Sequence, residues 1–552
     1  MNRLKGIPYG ISDFNRLRND NFYFVDKTIY LPLIERMPSY LSLTRPRRFG
    51  KSLFLSMMRT YYDLLQRDNF DRYFGDLWIG AHPTDQRNHY QVLYFDFSKA
   101  GCSVPGDGMM ASFNEYSSLV INQFADDYAS FYDPDFKSTV ESISSAKAKL
   151  SYIELKAKAK GYPLYLTIDE YDNFTNVILS EHGQKMFHDL THASGFYREY
   201  FKQYKGMFDR IFLMGVSPVT LDDLSSGYNI DWNISTDSRF NAMMGFSETE
   251  VREMFRYYQE NDALPGDIEA MIAEMKPWYD NYCFARMSLG DDRVFNCDMT
   301  LYYLRSQFDF HRSPEEMVDK NIRTDYSKLK MLARIDHDSA HEGSRMSTIE
   351  EIATKGEILV NLHTSFPAER VADVDNFRSL LYYYGLLTMC GTRGDRLRMC
   401  IPNHCVREQY FGFLREYYQQ AHPLDLAYDG VWKPFFESIA CAYRENSSVR
   451  DGMEGERNLQ GFLKAYLALA SYYLVEPELE MNYGYCDFFL LPDKQRYRTL
   501  STATSSNSNT LPAPLPMRNL QCKPTKGIAN FFNTAKIKWP DNWRRGRLFT
   551  GC

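Results

Sequence analysis

No run of about 18 uninterrupted apolar residues occurs in this 552-residue chain, so nothing in it is built to cross a membrane as a helix. Polar, turn-forming sequence rather than an apolar signal segment follows Met1-Asn2-Arg3-Leu4-Lys5, and a soluble cytoplasmic protein is the expectation. The ten cysteines form no C-x-x-C pair, and a chain of this length makes a core without disulfides, so reduced thiols are expected. Cys400, His404 and Cys405 lie near one another but lack a fourth ligand at a zinc spacing. There is no internal repeat, which excludes a repeat array. Acid is also scarce at one end: beyond Glu480 the only acidic residues are Asp487, Asp493 and Asp541.

What is present is globular. With 44% hydrophobic and 24% charged residues the chain can build roughly two to four domains, and a disordered or fibrous protein is excluded. Aromatics reach 15%, so the cores should rest largely on rings. The net charge of −7 is uneven: from Arg496 onward ten Lys or Arg face one acid, so this tail carries +9 and the rest −16. An acidic body argues against a broad nucleic-acid-coating surface, while the tail allows weak, salt-sensitive association with nucleic acid.

Residues 1–245 alternate strand and helix. Buried-strand candidates are Tyr40 to Thr44, Val92 to Phe97, Leu164 to Asp169 and Ile211 to Val216, with a helical period from Lys51 to Gln66. This predicts an α/β fold, a P-loop NTPase-like parallel sheet with helices on both faces. Ser247 and Glu250 form a capping-box pattern that opens a mostly helical stretch over 246–440, with short strands such as that near Leu386 to Met389. A third, partial α/β unit over 441–497 would start with a helix from Glu456 to Tyr473 and continue into a strand from Cys486 to Leu491. Residues 498–552 lose all periodicity and are expected to be a disordered basic tail.

Arg45-Pro46-Arg47-Arg48-Phe49-Gly50-Lys51-Ser52 stands where a strand gives way to a helix, the place where backbone N–H groups favour phosphate oxygens. Lys51 would reach the β- and γ-phosphates, Ser52 would ligate Mg²⁺ and Gly50 would let the backbone approach. The usual first glycine of this Walker A pattern is replaced by Arg45. The competing reading is a surface turn capped by Ser52 with three solvated arginines. About a hundred residues on, Leu164 to Ile168 ends in Asp169-Glu170, as a Walker B strand does: Asp169 would hold Mg²⁺ and Glu170 would polarise the attacking water. Here the competing reading is a solvated acidic turn with Asp172. The two motifs together point to a nucleoside triphosphate and Mg²⁺ as ligands.

Further motifs extend the pattern: Gly6 to Phe14, Tyr23 to Thr28, Ile168 to Asp172, Met214 to Ser217, Gly245 to Val251, Trp278 to Asp280, Leu381 to Gly385 and Ile401 to Asn403. With the Arg-Pro-Arg-Arg loop, they resemble the bacterial predicted AAA-ATPase-like family of Bacteroidetes type, whose members carry a C-terminal PD-(D/E)XK nuclease-superfamily domain. The resemblance covers residues 1 to about 497. It implies an ATP site at Arg48, Phe49, Gly50, Lys51, Ser52 and Leu53 with Asp169, where Ser217 resembles a γ-phosphate sensor and Arg239 an arginine finger. Alternatively, Ser217 is a turn residue before Pro218 and Arg239 forms a surface ion pair. Asp487 would be the first acid of the nuclease metal site, and Glu456 an auxiliary acid.

That nuclease site is incomplete. It needs an acid-x-Lys after Asp487, and neither Asp493 nor Asp541 has Lys two residues later. Thr502 to Thr510, written in permitted codons and regrouped by one nucleotide, reads His-Ser-Tyr-Ile-Leu-Glu-Leu-Lys-Tyr, a strand carrying the missing pair. Residues from about Arg498 are therefore expected to be out of frame, through mutation or a sequencing error; the alternative is a genuine basic tail for anionic partners. The functional expectation is a Mg²⁺-dependent ATP-binding protein, an ATPase joined to a degenerate nuclease-like domain, with an unidentified protein partner. The alternative is a non-hydrolysing nucleotide switch or protein-interaction module.

Overall fold

The computed structural model describes residues 4–100, 107–173, 196–218, 232–291, 293–319, 345, 348–349, 351–353, 355–366, 370, 373–417, 473–481 and 484–492, the last two stretches by backbone alone. The expected helix over 456–472, Glu456 and the tail over 498–552 lie outside the described residues. The chain divides into two compact units. The first holds Met1–Asn321, Met331–Arg345 and Glu357–Cys405, and the second holds Ile322–Lys330, Met346–Gly356 and Val406–Cys552.

The first unit is organised by five parallel strands, β1 (Tyr40–Thr44), β2 (Gln91–Asp96), β3 (Leu164–Asp169), β4 (Arg210–Gly215) and β5 (Trp232–Asn233), in the order β2-β3-β4-β1-β5. Every residue of β3 and β4 is buried, as happens when both faces of a parallel sheet are covered, whereas edge strand β2 alternates buried and half-buried positions. The longer described helices of the crossovers are α1 (Lys51–Tyr62), α2 (Asp107–Asp127), α3 (Ala146–Lys160) and α4 (Phe196–Tyr204). The carboxyl ends of the strands finish level, Thr44 opposite Gly215 and Asp96 opposite Asp169. The chain leaves β1 for β2 on one side and later passes over β1 to reach β5, so β1 sits where the strand order switches, the usual crevice for a ligand.

Helix α1 stops four residues short of the expected end. Asp63 turns extended (ψ 122°) and its carboxylate caps the Leu65 amide at 2.9 Å, starting a 3₁₀ turn over Leu64–Asn69. Local side-chain capping outweighs the apolar period there.

The first unit continues past the sheet. The strands β6 (Phe246–Ser247) and β7 (Val294–Phe295) pair antiparallel, and α5 (Glu248–Glu260) starts in the expected capping box. The Ser247 amide donates to Glu250 at 2.7 Å, and the Glu250 amide to the Ser247 hydroxyl at 3.2 Å. Helices α6 (Ile268–Tyr279), α7 (Cys297–Phe310) and α8 (Val374–Tyr383) follow, with a three-stranded antiparallel sheet of β8 (Glu357–Val360), β9 (Thr388–Arg393) and β10 (Arg396–Cys400) in the order β8-β10-β9.

In the second unit, β11 (Tyr473–Met481) and β12 (Gly484–Pro492) form an antiparallel pair in register from Tyr473 opposite Pro492 to Met481 opposite Gly484. The strand containing Cys486 to Leu491 is thus present. Tyr473, expected to end a helix, instead begins a strand that the sequence reading did not single out. Asp487 is the fourth residue of β12, inside the strand rather than at its end.

Candidate functional site

The loop leaving β1 bends through two left-handed residues, Arg48 (φ 67°) and Gly50 (φ 84°), and Gly50 is the residue before α1. Glycine takes that conformation without strain. Lys51 is buried at the helix start, and its ammonium donates to the carbonyl oxygens of Arg45 at 3.1 Å and Pro46 at 2.9 Å. Burial lowers its pKa, opposed by the negative charges of Glu170, Asp169 and Asp172. A desolvated cation folded onto its own loop has no salt partner holding it firmly, so exchanging two neutral carbonyls for anionic oxygens is favourable.

Arg45, which occupies the place of the missing glycine, is fully buried. Its guanidinium donates to the carbonyls of Thr44 (2.9 Å), Ser235 (2.7 Å) and Phe240 (2.9 Å) and lies 4.4 Å from the centre of the Phe284 ring. Burial pulls its pKa down to about 10, still charged at neutral pH. The loop therefore turns by tying an arginine into the interior, and the reading of three solvated arginines is corrected. Its neighbours are anchored likewise. Pro46 packs against Gly385, where an added Cβ would come within 2.8 Å of it. Arg48 pairs with Asp298 at 2.9 Å. Phe49 is buried edge-on against Tyr282 and Phe284, and its carbonyl accepts from the Gly245 amide at 3.1 Å. Arg47 is the exposed member of the loop.

Opposite the loop, β3 delivers Asp169. Its carboxyl is 2% exposed and burial pushes its pKa up to about 6, against the Ser52 hydroxyl bonded to it and the charge of Lys51. Glu170 then adopts a left-handed backbone (φ 52°), which breaks the strand. Asp172 is not a solvated turn residue: it is buried and accepts from the amides of Val216 (3.0 Å) and Ser217 (2.7 Å), locking the end of β4. Burial and then the Glu170 charge raise its pKa. Lys51, Ser52, Asp169 and Glu170 are thus gathered at one edge of the sheet, as the loop and strand motifs require.

Residues 8–225 match the model of the predicted AAA-ATPase family. Over that stretch the chain is similar to the predicted AAA-ATPase family. Residues 454–502 match the model of the PD-(D/E)XK nuclease superfamily, a stretch that includes Asp487. A curated relative, an uncharacterized protein in the vnfD 5′ region of Azotobacter chroococcum mcd 1, is 29% identical over 318 residues, 55% of this chain and 53% of that protein. The chain thus spans about half the length of that relative. Among solved structures, Aeropyrum pernix ORC2 in ADPNP and ADP complexes aligns over 71% of this chain and 93% of its own (12% identity, TM-score 0.33). Aeropyrum pernix ORC1 in complex with DNA aligns over 73% and 91% (12%, TM-score 0.27).

Within the matched stretch Ser217 is buried just past the end of β4, its amide held by Asp172 and its hydroxyl hydrogen-bonded to Tyr384. Arg239 is spent on its own turn, paired with Asp237 at 2.5 Å on an exposed surface, which is the ion-pair alternative. Beside the loop a cavity of about 80 Å³ is lined by Phe49, Gly50 and Leu53 together with Ile11, Val25 and Met243. Sequence reading missed this cavity, the Arg45 anchor and the Tyr384 contact, all made by residues distant in the chain. Among the described residues no three His, Cys, Asp or Glu are grouped to hold a metal, and none of the helices is long and apolar enough to cross a membrane.

Proposed function

We propose that this chain is a cytoplasmic protein that binds ATP with Mg²⁺ and hydrolyses it at the carboxyl edge of the parallel sheet. We further propose that the region around Asp487 is inactive as a nuclease as encoded. The observation that carries the reading is the convergence of a buried lysine, a serine at a helix start and a desolvated carboxylate at one spot. Ser52 and Asp169 supply two hard oxygen donors, too few for a protein-only cation site and suited to Mg²⁺ that also takes phosphate oxygens. The bound ion would neutralise phosphate charge. Lys51 would leave the loop carbonyls for the β- and γ-phosphates, the α1 N-terminus would face the same oxygens, and the apolar cavity beside Gly50 suits the base. Glu170 would orient the attacking water and accept its proton.

Arg239, held by Asp237, leaves hydrolysis without the arginine expected from this chain, which favours a non-hydrolysing switch for a protein partner as the second reading. Titration with ATP, with and without Mg²⁺, alongside phosphate release, separates the two. Saturable binding that tightens with Mg²⁺ and weakens at least about tenfold in Lys51→Ala is expected, because the substitution removes charge-assisted phosphate contacts. Absence of saturable binding, or unchanged affinity in the variant, would leave an interaction module; binding without turnover would leave the switch.

A further inference from the structure

Cys400 of β10 pairs with Thr388 of β9, and Cys390 lies two residues beyond Thr388. Side chains alternate faces along a strand, so Cys390 and Cys400 leave the sheet on the same side. The ladder slips between Arg398 and Met399, passing over Cys390, and such a bulge re-aims the extra side chain. The Cys390 sulfur lies 3.4 Å from the carbonyl of Arg398, two residues before Cys400 on the facing strand. Both thiols are half-buried, whereas Cys283, Cys297 and Cys405 are buried.

The surroundings make the pair unequal. The guanidinium groups of Arg398 and Arg293 act on Cys390, with Glu357, bonded to Arg398 at 2.6 Å, opposing them. The neighbouring Cys400 thiol is the main cause that lowers the Cys390 pKa, and Cys390 in turn pushes the Cys400 thiol up. One sulfur is thus prepared to attack and the other to resolve.

We propose that Cys390 and Cys400 form a redox modification site in which a low-molecular-weight disulfide converts the two thiols into a reversible cross-strand disulfide. The Cys390 thiolate attacks one sulfur of the small disulfide, making a mixed disulfide and expelling a small thiolate that takes up the proton Cys390 released. Cys400 then attacks the Cys390 sulfur and expels the second small thiolate, which takes up the Cys400 proton. Two protein thiols are oxidised to one disulfide, and one small disulfide is reduced to two thiols. The bond staples β9 to β10 next to Thr388, whose hydroxyl accepts from the Cys283 amide at 2.8 Å, one residue before the ring beneath Arg45.

The test treats the full chain, natively folded, with oxidised glutathione, blocks the remaining thiols and maps peptides without reduction. The expected result is a Cys390–Cys400 linkage lighter by two hydrogens and lost on adding reductant, while Cys283, Cys297 and Cys405 stay unmodified. Cys400→Ser should trap glutathione on Cys390, and Cys390→Ser should leave Cys400 at least about tenfold less modified. Absence of the linkage in the unaltered protein, or equal modification of the remaining thiol in the two variants, would overturn the proposal.

Discussion

Replacing Asp169 with Asn should make the ligand-free protein more stable at neutral pH while weakening Mg²⁺-dependent nucleotide binding. Burial raises the Asp169 carboxyl from 3.8 to about 6, against the Ser52 hydroxyl and the Lys51 charge. An acid whose folded pKa lies above its unfolded value binds more protons in the folded state, so stability falls as pH rises through that interval. A shift of roughly two units corresponds to about 3 kcal/mol over the whole window, and about half of it, ~1.4 kcal/mol, develops between about pH 5 and pH 8. Asparagine keeps the shape and cannot ionise. Urea denaturation of both proteins at several pH values gives the difference in unfolding free energy, which cancels the other raised carboxyls, Asp63 and Asp280 among them. The variant should gain on the unaltered protein steadily with pH, and the gain should shrink when Mg²⁺ and ATP are added to the latter. A difference independent of pH would show that Asp169 is already compensated in the folded chain, and the argument from desolvation would fail.

Glu170→Gln should preserve ATP binding and slow phosphate release by at least about a hundredfold, the usual weight of a positioned base; turnover at the unaltered rate would assign the water to another group. Arg45→Met should destabilise the first unit by about 3–9 kcal/mol, because three buried carbonyls lose their donor at roughly 1–3 kcal/mol each. A loss under about 1 kcal/mol by chemical denaturation would mean that the cost of burying the guanidinium had cancelled its hydrogen bonds. The protein as encoded should leave DNA intact in the presence of Mg²⁺, since Asp487 has no acid-x-Lys after it; a plasmid-nicking activity abolished by Asp487→Ala would contradict this.

Four of the five parallel strands were readable because burial turns them into largely apolar runs: Tyr40–Thr44 and Leu164–Asp169 appear with the expected limits, Gln91–Asp96 and Arg210–Gly215 shift by one residue, and the two-residue Trp232–Asn233 is too short to show a pattern. The Ser247 and Glu250 cap was readable because it is local. What escaped was tertiary. Arg45 looks like a surface charge until residues 235–284 supply its acceptors, and Asp172 looks like a turn acid until the Val216 and Ser217 amides arrive. The strand Tyr473–Met481 carries Pro477 and three glutamates, residues poor in strands, and its pairing with Gly484–Pro492 outweighs that preference. Cys390 and Cys400 are brought together by a bulge, which no spacing rule announces.

The anchoring of the phosphate loop bears on how this protein can be dissected. A fragment ending at residue 245 would retain all five parallel strands, yet it would strip Arg45 and Phe49 of the Phe284 ring, Pro46 of Gly385 and Arg48 of Asp298. Its motif would be intact on paper and its loop unsupported. Substitutions at Phe284, Asp298 or Gly385, each far from the motif in the chain, belong to the same mutational neighbourhood as Lys51, and a survey of nucleotide-affinity variants should find them there.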